Sequence, residues 1–355
     1  MGARLLILEA GSAASNNLIR SLRAGDRSVI TVGCNESPFV LQKSGAHRNY
    51  LLPVSTRDYG AALRHIIGTE RIDLVIPTSD ADVVRIGKLR GRLGNRTFLP
   101  RNSLIKRCQD KYRLTSFLRR SGIPAPLTYA IRDVRRVGEV FRRFRGHTKL
   151  WCRIRAGSGS FGAVPVRKPA QVRGWIAFWE AMRGVPAGAF TLSEYLPGRD
   201  YCVQSVWRNG TLILAKMAER ILYLDTGSPS GRSSMPALAK TVHDPYVIDV
   251  CSRAVRALDP RACGVFFIDL KESERGDPCI TEINAGRFAT MTNIHDLAGK
   301  HNMATTYVRV ALGKRVIIPN AFDFAEGFYL VRSVDTLPAV VRKEELFQGI
   351  EDLNA

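Results

Sequence analysis

The apolar positions of the first hundred residues alternate between short continuous runs and helical stripes. Leu5 to Leu8 is a buried-strand run closed by the turn residues Gly11-Ser12-Ala13, and Asn16 to Arg23 sets Leu18, Ile19 and Leu22 on one helical face. Strands over Ser28 to Val32, Tyr50 to Leu52 and Asp73 to Pro77 follow, with helices over Tyr59 to Gly68 and Ala81 to Leu93. This alternation predicts a small Rossmann-like parallel sheet over residues 1–103, whose carboxyl-end crevice can take a ligand. Ser79-Asp80 lies at such a strand end and is a candidate substrate contact; capping of the next helix by Asp80 is the plainer role.

Beyond residue 103 the pattern changes. Helices are expected near Lys111 to Arg120, Val134 to Arg145 and Pro169 to Met182, around a β-like run Lys149 to Cys152, and these make one unit over 104–187. Residues 188–318 read as hairpins, a basic strand Leu212 to Arg220, a loop Asp225 to Pro236 and a helix Pro245 to Leu258. A tail over 319–355 holds one strand-like run, Gly327 to Val331.

Candidate chemistry gathers in the later part. Gly264 to Ile268 is short, apolar and rich in β-formers, and Arg275 to Pro278 is a turn cluster, so Asp269 and Glu282 fall on neighbouring strands of a hairpin. Side chains two apart on a strand share a face, which puts Asn284 beside Glu282 and lets Asp269 join them if the register allows. Two carboxylates and an amide suit Mg2+, which takes one or two carboxylates and leaves its other positions to phosphate and water, although the same pattern taken alone also describes ordinary polar residues on the solvent face of a hairpin. A second element is the glycine-rich stretch Arg153 to Gly162, between the run ending at Cys152 and Ala163 to Val166. Such glycines let backbone N–H groups approach an anion, although a structural turn uses the same residues. The third is Leu192 to Val203, where Glu194 precedes a Pro197-Gly198 turn and Asp200 opens the next strand. These acids can accept hydrogen bonds from an adenine amino group or ribose hydroxyls, or be the solvated acids of a plain hairpin. The loop Thr226 to Ser234 has the small, polar composition of a lid; it reads as an ordinary surface loop or, with Glu219-Arg220 before it, as a substrate-facing segment, the reading favoured here.

Taken in order, Asp110-Lys111 opening a helix, Ser121 to Pro126 closing it, the glycine loop, the Glu194–Asp200 hairpin and the Asp269, Glu282, Asn284, Arg287 set resemble the ATP-grasp superfamily, especially carbamoyl-phosphate-synthase-like carboxylate-amine ligases. The resemblance runs from about Asp110 to Gly313. It implies an α/β and α+β architecture, an N-terminal Rossmann-like parallel sheet followed by a two-subdomain ATP-grasp fold. It also implies roles: Lys111 and Arg153 on ATP phosphates, Gly157, Ser158, Gly159 and Ser160 as the phosphate flap, Glu194, Tyr195 and Leu196 as the adenine hinge, and Asp200 on the ribose. Asp269, Glu282 and Asn284 match the ligands of Mg2+, or of Mn2+ in its place, and Arg287 matches the arginine on the phosphoryl group in transfer, with Arg220 a second catalytic candidate. The implied reaction is ATP-dependent activation of a carboxylate as an acyl phosphate for attack by an amine or ammonia. A carboxylase-like, kinase-like or carbamoyl-phosphate-forming variant, a nucleotide-binding module weakened in turnover, and a basic nucleic-acid-associated protein stay open. Two positions depart from the pattern: Arg153-Ile154 stands where Lys-Pro is usual, replacing a point charge by a planar fork, and Phe161 is apolar where an arginine is common.

Composition narrows the setting. At 355 residues with 45% hydrophobic content the chain can hold two or three domains with sizeable cores. Lys and Arg number 53 against 32 Asp and Glu, a net charge of +21 that is spread along the chain. Such an excess either is an arginine-rich solvated surface with no binding role or draws in ATP or an acidic substrate, and it binds nucleic acid nonspecifically at low salt. No helix-turn-helix, zinc-finger or aromatic RNA-binding signature accompanies it, which argues against a specific nucleic-acid partner. Seven scattered cysteines without C-x-x-C pairs argue against a disulfide framework or a zinc site. There is no run of 18 apolar residues, no apolar signal core after Met1, and Leu6 where a myristoylation site wants Ser or Thr. The expectation is a cytoplasmic enzyme with small-molecule carboxylate and amine substrates and no membrane partner; homodimers are frequent in the resembled family. His295 and His301 fall near the metal candidates but form no triad, so a structural role is expected.

Overall fold

The computed structural model describes residues 2–53, 56–157, 160–224, 235–297, 299–322, 324–333 and 339–345. The chain opens with β1 (Arg4–Leu8), α1 (Ala13–Gly25), β2 (Ile30–Asn35), α2 (Pro38–Leu41), β3 (Arg48–Leu51), α3 (Thr56–Thr69), β4 (Leu74–Ile76) and α4 (Asp80–Leu93). The four strands form a parallel sheet in the order β3-β2-β1-β4. Continuous burial of Leu5 to Leu8 and Leu74 to Ile76 explains their unbroken apolar runs, since a parallel sheet is covered on both faces. The buried Glu70 ties β3 to β1: it accepts from the Tyr50 hydroxyl at 2.6 Å and pairs with Arg48 and Arg4 at 3.0 and 2.7 Å. Ser79 rather than Asp80 caps α4, accepting from the Asp82 amide at 3.1 Å, so the capping expected of Asp80 is done by its neighbour.

Next come α5 (Asn102–Gln109), α6 (Lys111–Arg120), β5 (Thr128–Ala130), α7 (Val137–Arg142), β6 (Leu150–Ile154), β7 (Val164–Val166), α8 (Pro169–Arg183) and β8 (Phe190–Glu194). Asp110 caps α6 through the Tyr112 and Arg113 amides, both at 3.1 Å, and this fixes the first residue of the helix, Lys111. The strands make an antiparallel sheet, β5-β8-β6-β7, packed on α7 and α8 around Val137, Phe144, Leu150, Ile176 and Trp179.

The remainder is β9 (Asp200–Arg208), β10 (Thr211–Tyr223), β11 (Pro236–Thr241), α9 (Pro245–Leu258), β12 (Gly264–Glu272), β13 (Pro278–Ala285), α10 (Thr292–Leu297), α11 (Met303–Ala311), β14 (Phe328–Val331) and β15 (Ala339–Arg342). They build a seven-stranded sheet in the order β13-β12-β9-β10-β11-β14-β15. Alternation assigns its faces: Val203, Trp207, Met217 and Phe266 pack with α9, whereas Val206, Leu214 and Val265 meet α11 and the parallel sheet. The strand-like run near residue 328 is thus not an isolated tail feature: β14 pairs with β11, and β15 with β14. Helix α11, absent from the sequence reading, completes the core between the two sheets. No helix among the described residues is long and apolar enough to cross a membrane.

Tyr307 on α11 is fully buried between Phe98 and Phe288, with ring centroids at 5.6 and 5.1 Å, and its hydroxyl donates to the Phe98 carbonyl at 2.9 Å. Tyr307→Phe is expected to cost about 1–2 kcal/mol by stranding that carbonyl, and Tyr307→Ala about 3–5 kcal/mol through the cavity it leaves. Urea unfolding followed by circular dichroism measures both; unchanged stability of the alanine variant contradicts this packing.

Candidate active site

The acidic set is built by the β12–β13 ladder. Asp269 stands directly opposite Glu282 and Phe267 opposite Asn284, and a bulge at Thr281 follows, where the threonine hydroxyl donates to the Asp269 carbonyl at 3.1 Å. The register therefore delivers both carboxylates and the amide to one side of the hairpin. The Asn284 amide turns its nitrogen to Asp269 at 3.2 Å and its oxygen to the Arg287 guanidinium at 2.5 Å. In that orientation the amide oxygen faces a cation, and the amide must turn over to join the carboxylates as a metal ligand.

Each acid is matched by a base from another element. Arg220, on β10, is wedged between Asp200 and Asp269, bonding the first at 2.9 Å and contacting the second directly, with its guanidinium over the Phe267 ring at 5.6 Å. Burial works against the Arg220 charge, but the two carboxylates, Asp269 foremost, hold its pKa well above the ordinary value. Burial in turn raises the Asp269 carboxyl, opposed by Arg220. Lys111 Nζ lies 3.4 Å from Glu282 and also donates to the Gly157 carbonyl in the glycine loop. Arg287 takes Asp80 in a fork at 2.6 and 3.2 Å, joining the carboxyl end of the parallel sheet to the metal candidates. Gly286 makes that placement possible: at φ +97° it donates to the Val265 carbonyl, and a Cβ there would press on Val83 and Leu99 at 3.1 and 3.2 Å.

Arg153 is buried on β6, its Nη2 donating to the Thr281 carbonyl at 3.0 Å while Nε has no partner among the described residues; burial lowers its pKa. A buried guanidinium nitrogen without an acceptor suits a site that receives an anion. The carboxylate oxygens on β12 and β13 are the hard donors a divalent cation takes, and Arg220 now supplies the positive charge beside them. The residues present therefore fit Mg2+ with a phosphate chain.

Glu194 and Asp200 are more occupied than their sequence context suggests. Glu194 accepts from the Leu127 amide at 2.7 Å and lies 3.4 Å from His147, and Asp200 accepts from the Tyr223 hydroxyl at 2.6 Å besides Arg220. Tyr195 is covered by Lys149 Nζ, 3.8 Å from its ring centre, and by Trp151 at 6.2 Å. The loop end is clamped on α8: Trp175 Nε1 donates to the Gly162 carbonyl at 3.0 Å, and Phe161 sits edge-on against Trp179 at 4.3 Å. Phe161 thus packs down on its own subdomain. Gly162, at φ +67°, has Ile154 within 2.5 Å of where a Cβ would stand.

One cavity of about 450 Å³ is lined by Lys111, Arg153, Gly157, Ser160, Glu194, Tyr195, Leu196, Asp200, Arg220, Asp269, Glu282, Asn284 and Arg287, and by Asp80. Ser158 and Gly159, and the lid-like loop Thr226 to Ser234, lie outside the described residues. Asp80 is the residue whose partnership with Arg287 was hidden in the sequence, because 207 positions separate the pair.

No protein-family model and no curated protein sequence matches the chain. Solved structures do. The biotin carboxylase domain of 2-oxoglutarate carboxylase from Hydrogenobacter thermophilus, solved with MgADP and bicarbonate, superimposes at a TM-score of 0.72 with 13% identity, over 93% of this chain and 74% of that one. An L-amino acid ligase from Bacillus licheniformis gives 0.66 and 12%, over 93% and 79%. N5-carboxyaminoimidazole ribonucleotide synthetase from Thermus thermophilus gives 0.65 and 18%, over 92% and 82%. At such identities the likeness establishes a common fold.

His295, on α10, is fully buried with neither ring nitrogen hydrogen-bonded among the described residues, and it does not line the cavity. Burial, with Lys216 and Arg220 nearby, lowers its pKa to about 3. The folded state therefore refuses a proton that the unfolded chain binds below pH 6.5, and this destabilises the fold progressively from pH 6.5 down to about 3. The adjacent Asp296, raised to about 6 chiefly by burial, acts in the opposite sense between its ordinary value and that pH. His295→Phe isolates the histidine: its stability relative to wild type is expected to improve by about 2 kcal/mol between pH 7 and pH 5. Urea titrations at the two pH values measure this, and a pH-independent difference contradicts a neutral buried imidazole.

Proposed function

We propose that this chain, which has the ATP-grasp fold of those neighbours, is an ATP-dependent carboxylate-amine ligase that uses Mg2+. The observation that carries the reading is the meeting, in one cleft, of two opposed carboxylates with cations from two separate units, Lys111 and Arg153 from one and Arg220 and Arg287 from the other, with Asp80 from the parallel sheet behind the last.

A carboxylate resists amine attack because its leaving oxide is poor, and phosphorylation removes that obstacle. The substrate carboxylate oxygen attacks the terminal phosphorus, the bond to ADP breaks, and the amine then displaces phosphate from the carbonyl carbon. When bound, Mg2+ held by Asp269, Glu282 and the turned Asn284 amide neutralises the terminal phosphates and orients them. Lys111 and Arg153 bind the phosphate chain, Arg153 through the nitrogen that now lacks an acceptor. Arg287, held in plane by Asp80, donates to the phosphoryl oxygens as charge builds on them. The glycine loop, anchored on α8, covers the site and keeps water from the acyl phosphate. Tyr195 and Leu196 take the adenine; Asp200 reaches the ribose only by giving up Tyr223 or Arg220. A cytoplasmic setting, small-molecule substrates and a homodimer agree with this reading.

Phosphate and ADP release is measured with ATP, Mg2+ and panels of acids and amines. ADP formation that requires one acid, and a product that requires one amine, is expected. Asp269→Asn and Glu282→Gln are each expected to lower kcat at least about 100-fold. Full activity in both variants, or tight nucleic-acid binding at physiological salt with no ADP formed by wild type, contradicts the proposal. Asp80→Asn frees Arg287 and is expected to lower kcat about tenfold while leaving KM for ATP within severalfold; a change in KM alone contradicts the positioning of Arg287.

A further inference from the structure

Two bases in the cleft answer to the acids of the metal set, and they stand on opposite sides of them. Lys111 reaches Glu282 from the start of α6 and also holds the Gly157 carbonyl. Arg220 reaches Asp269 from β10, which lies beyond β9 on the side of β12 away from β13. Among the described residues the cavity is lined by five acidic and five basic side chains, so the excess charge of the chain is not concentrated there and a base freed from its acid needs a new partner. The side chain of Arg220 is only 10% exposed, and its guanidinium lies over the Phe267 ring at 5.6 Å. Next along the same sheet face, Cys202 stands opposite Ala218 and meets the Met291 sulfur at 4.0 Å. Phe267, Ala289 and Met291 pack in one cluster with those two residues, and all three line the cavity.

We propose that Arg220 anchors the substrate acid, released for that task when Asp269 turns to the metal, and that the acid is a monocarboxylate with an apolar side chain. This rests on the ligase reading. A desolvated guanidinium that loses one of two carboxylates is left undercompensated, and a third carboxylate restores the balance. Asp200 keeps hold of Nη1 at 2.9 Å, while Nη2, now on Asp269, becomes the open donor for an incoming carboxylate in the guanidinium plane. The phosphate chain does not take that donor, because the metal gap lies between β12 and β13 and Arg220 enters from the other side of β12. Lys111, released from Glu282, stays on the phosphate side at the glycine loop. Beside the freed nitrogen, the wall of Phe267, Ala289 and Met291 carries no further cation among the described residues, and Arg287 is already shared by Asp80 and Asn284. A second carboxylate or a phosphate on the substrate would therefore be buried unpaired. The acid finds its anchor only in the metal-loaded cleft, so binding of the two is coupled.

Isothermal titration of the full chain with 4-methylpentanoate tests this, in the non-hydrolysable analogue AMPPNP with Mg2+ and in AMPPNP with EDTA. The acid is expected to bind at least about tenfold tighter with Mg2+, and succinate at least about tenfold weaker than 4-methylpentanoate under the same conditions. Coupling is reciprocal, so 4-methylpentanoate must tighten Mn2+ by the same factor in AMPPNP, read as loss of the free Mn2+ paramagnetic resonance signal. Arg220→Gln removes anchor and competitor together: it is expected to hold Mn2+ at least as tightly as wild type, which also shows the site folded, and to bind the acid weakly with or without metal. No binding of 4-methylpentanoate, binding indifferent to Mg2+, succinate as tight as 4-methylpentanoate, or a metal effect that survives in Arg220→Gln overturns the proposal. Loss of AMPPNP with retention of the acid in that variant places Arg220 on the phosphates and overturns it too. The wild-type titrations decide the matter should the variant not fold. Failure of wild type to bind Mn2+ with AMPPNP overturns the ligase reading itself, whereas Mn2+ bound with no effect on the acid overturns the role of Arg220 alone.

Discussion

Compensation of half-buried carboxylates by cationic side chains is the constraint on which the site depends. Asp200, Asp269 and Glu282 converge from three strands of one sheet, and Arg220 stands between the first two while Lys111 reaches the third. Burial raises the Asp269 carboxyl and Arg220 opposes that rise. Arg220 takes its place between Asp200 and Asp269 without a metal. In the proposed reading a divalent cation competes with Arg220 for Asp269, so that binding is coupled to a rearrangement of one arginine and one amide.

The fold supplies the groups from independent layers. The seven-stranded sheet sets the acids by register, the α6 cap sets Lys111, and β6 buries Arg153 against the Thr281 carbonyl. The parallel sheet adds Asp80, which reaches across to Arg287. Because no layer contains a complete site, catalysis in this reading is a property of their packing, and Tyr307 and its neighbours in the shared core contribute to it indirectly.

Much of this was legible in the chain. Strand alternation through Asp269, Glu282 and Asn284 and the Asp110 cap are local patterns, and local patterns survive folding. What was hidden is long-range or depends on competition between neighbours. Ser79 outcompeted Asp80 for the helix cap, which released Asp80 for Arg287. Helix α11 is short and buried without a break from Met303 to Val308, threonines included, so its place is set by the two sheets that cover it. Strand β14 was legible as the run Gly327 to Val331, but its pairing with β11, and the strand β15 that pairs with it in turn, were not. Glu194 and Asp200 were recognised by position, but their present partners, Leu127, Tyr223 and Arg220, are set by register and turn geometry that spacing alone does not show.

The most direct test of the central claim is the anomalous scattering of Mn2+ in crystals grown with ADP. The account predicts a peak between the Asp269 and Glu282 carboxylates at about 2.0–2.3 Å from each, with Arg220 withdrawn from Asp269. Bound nucleotide with no peak there, or a peak coordinated by other side chains, contradicts it.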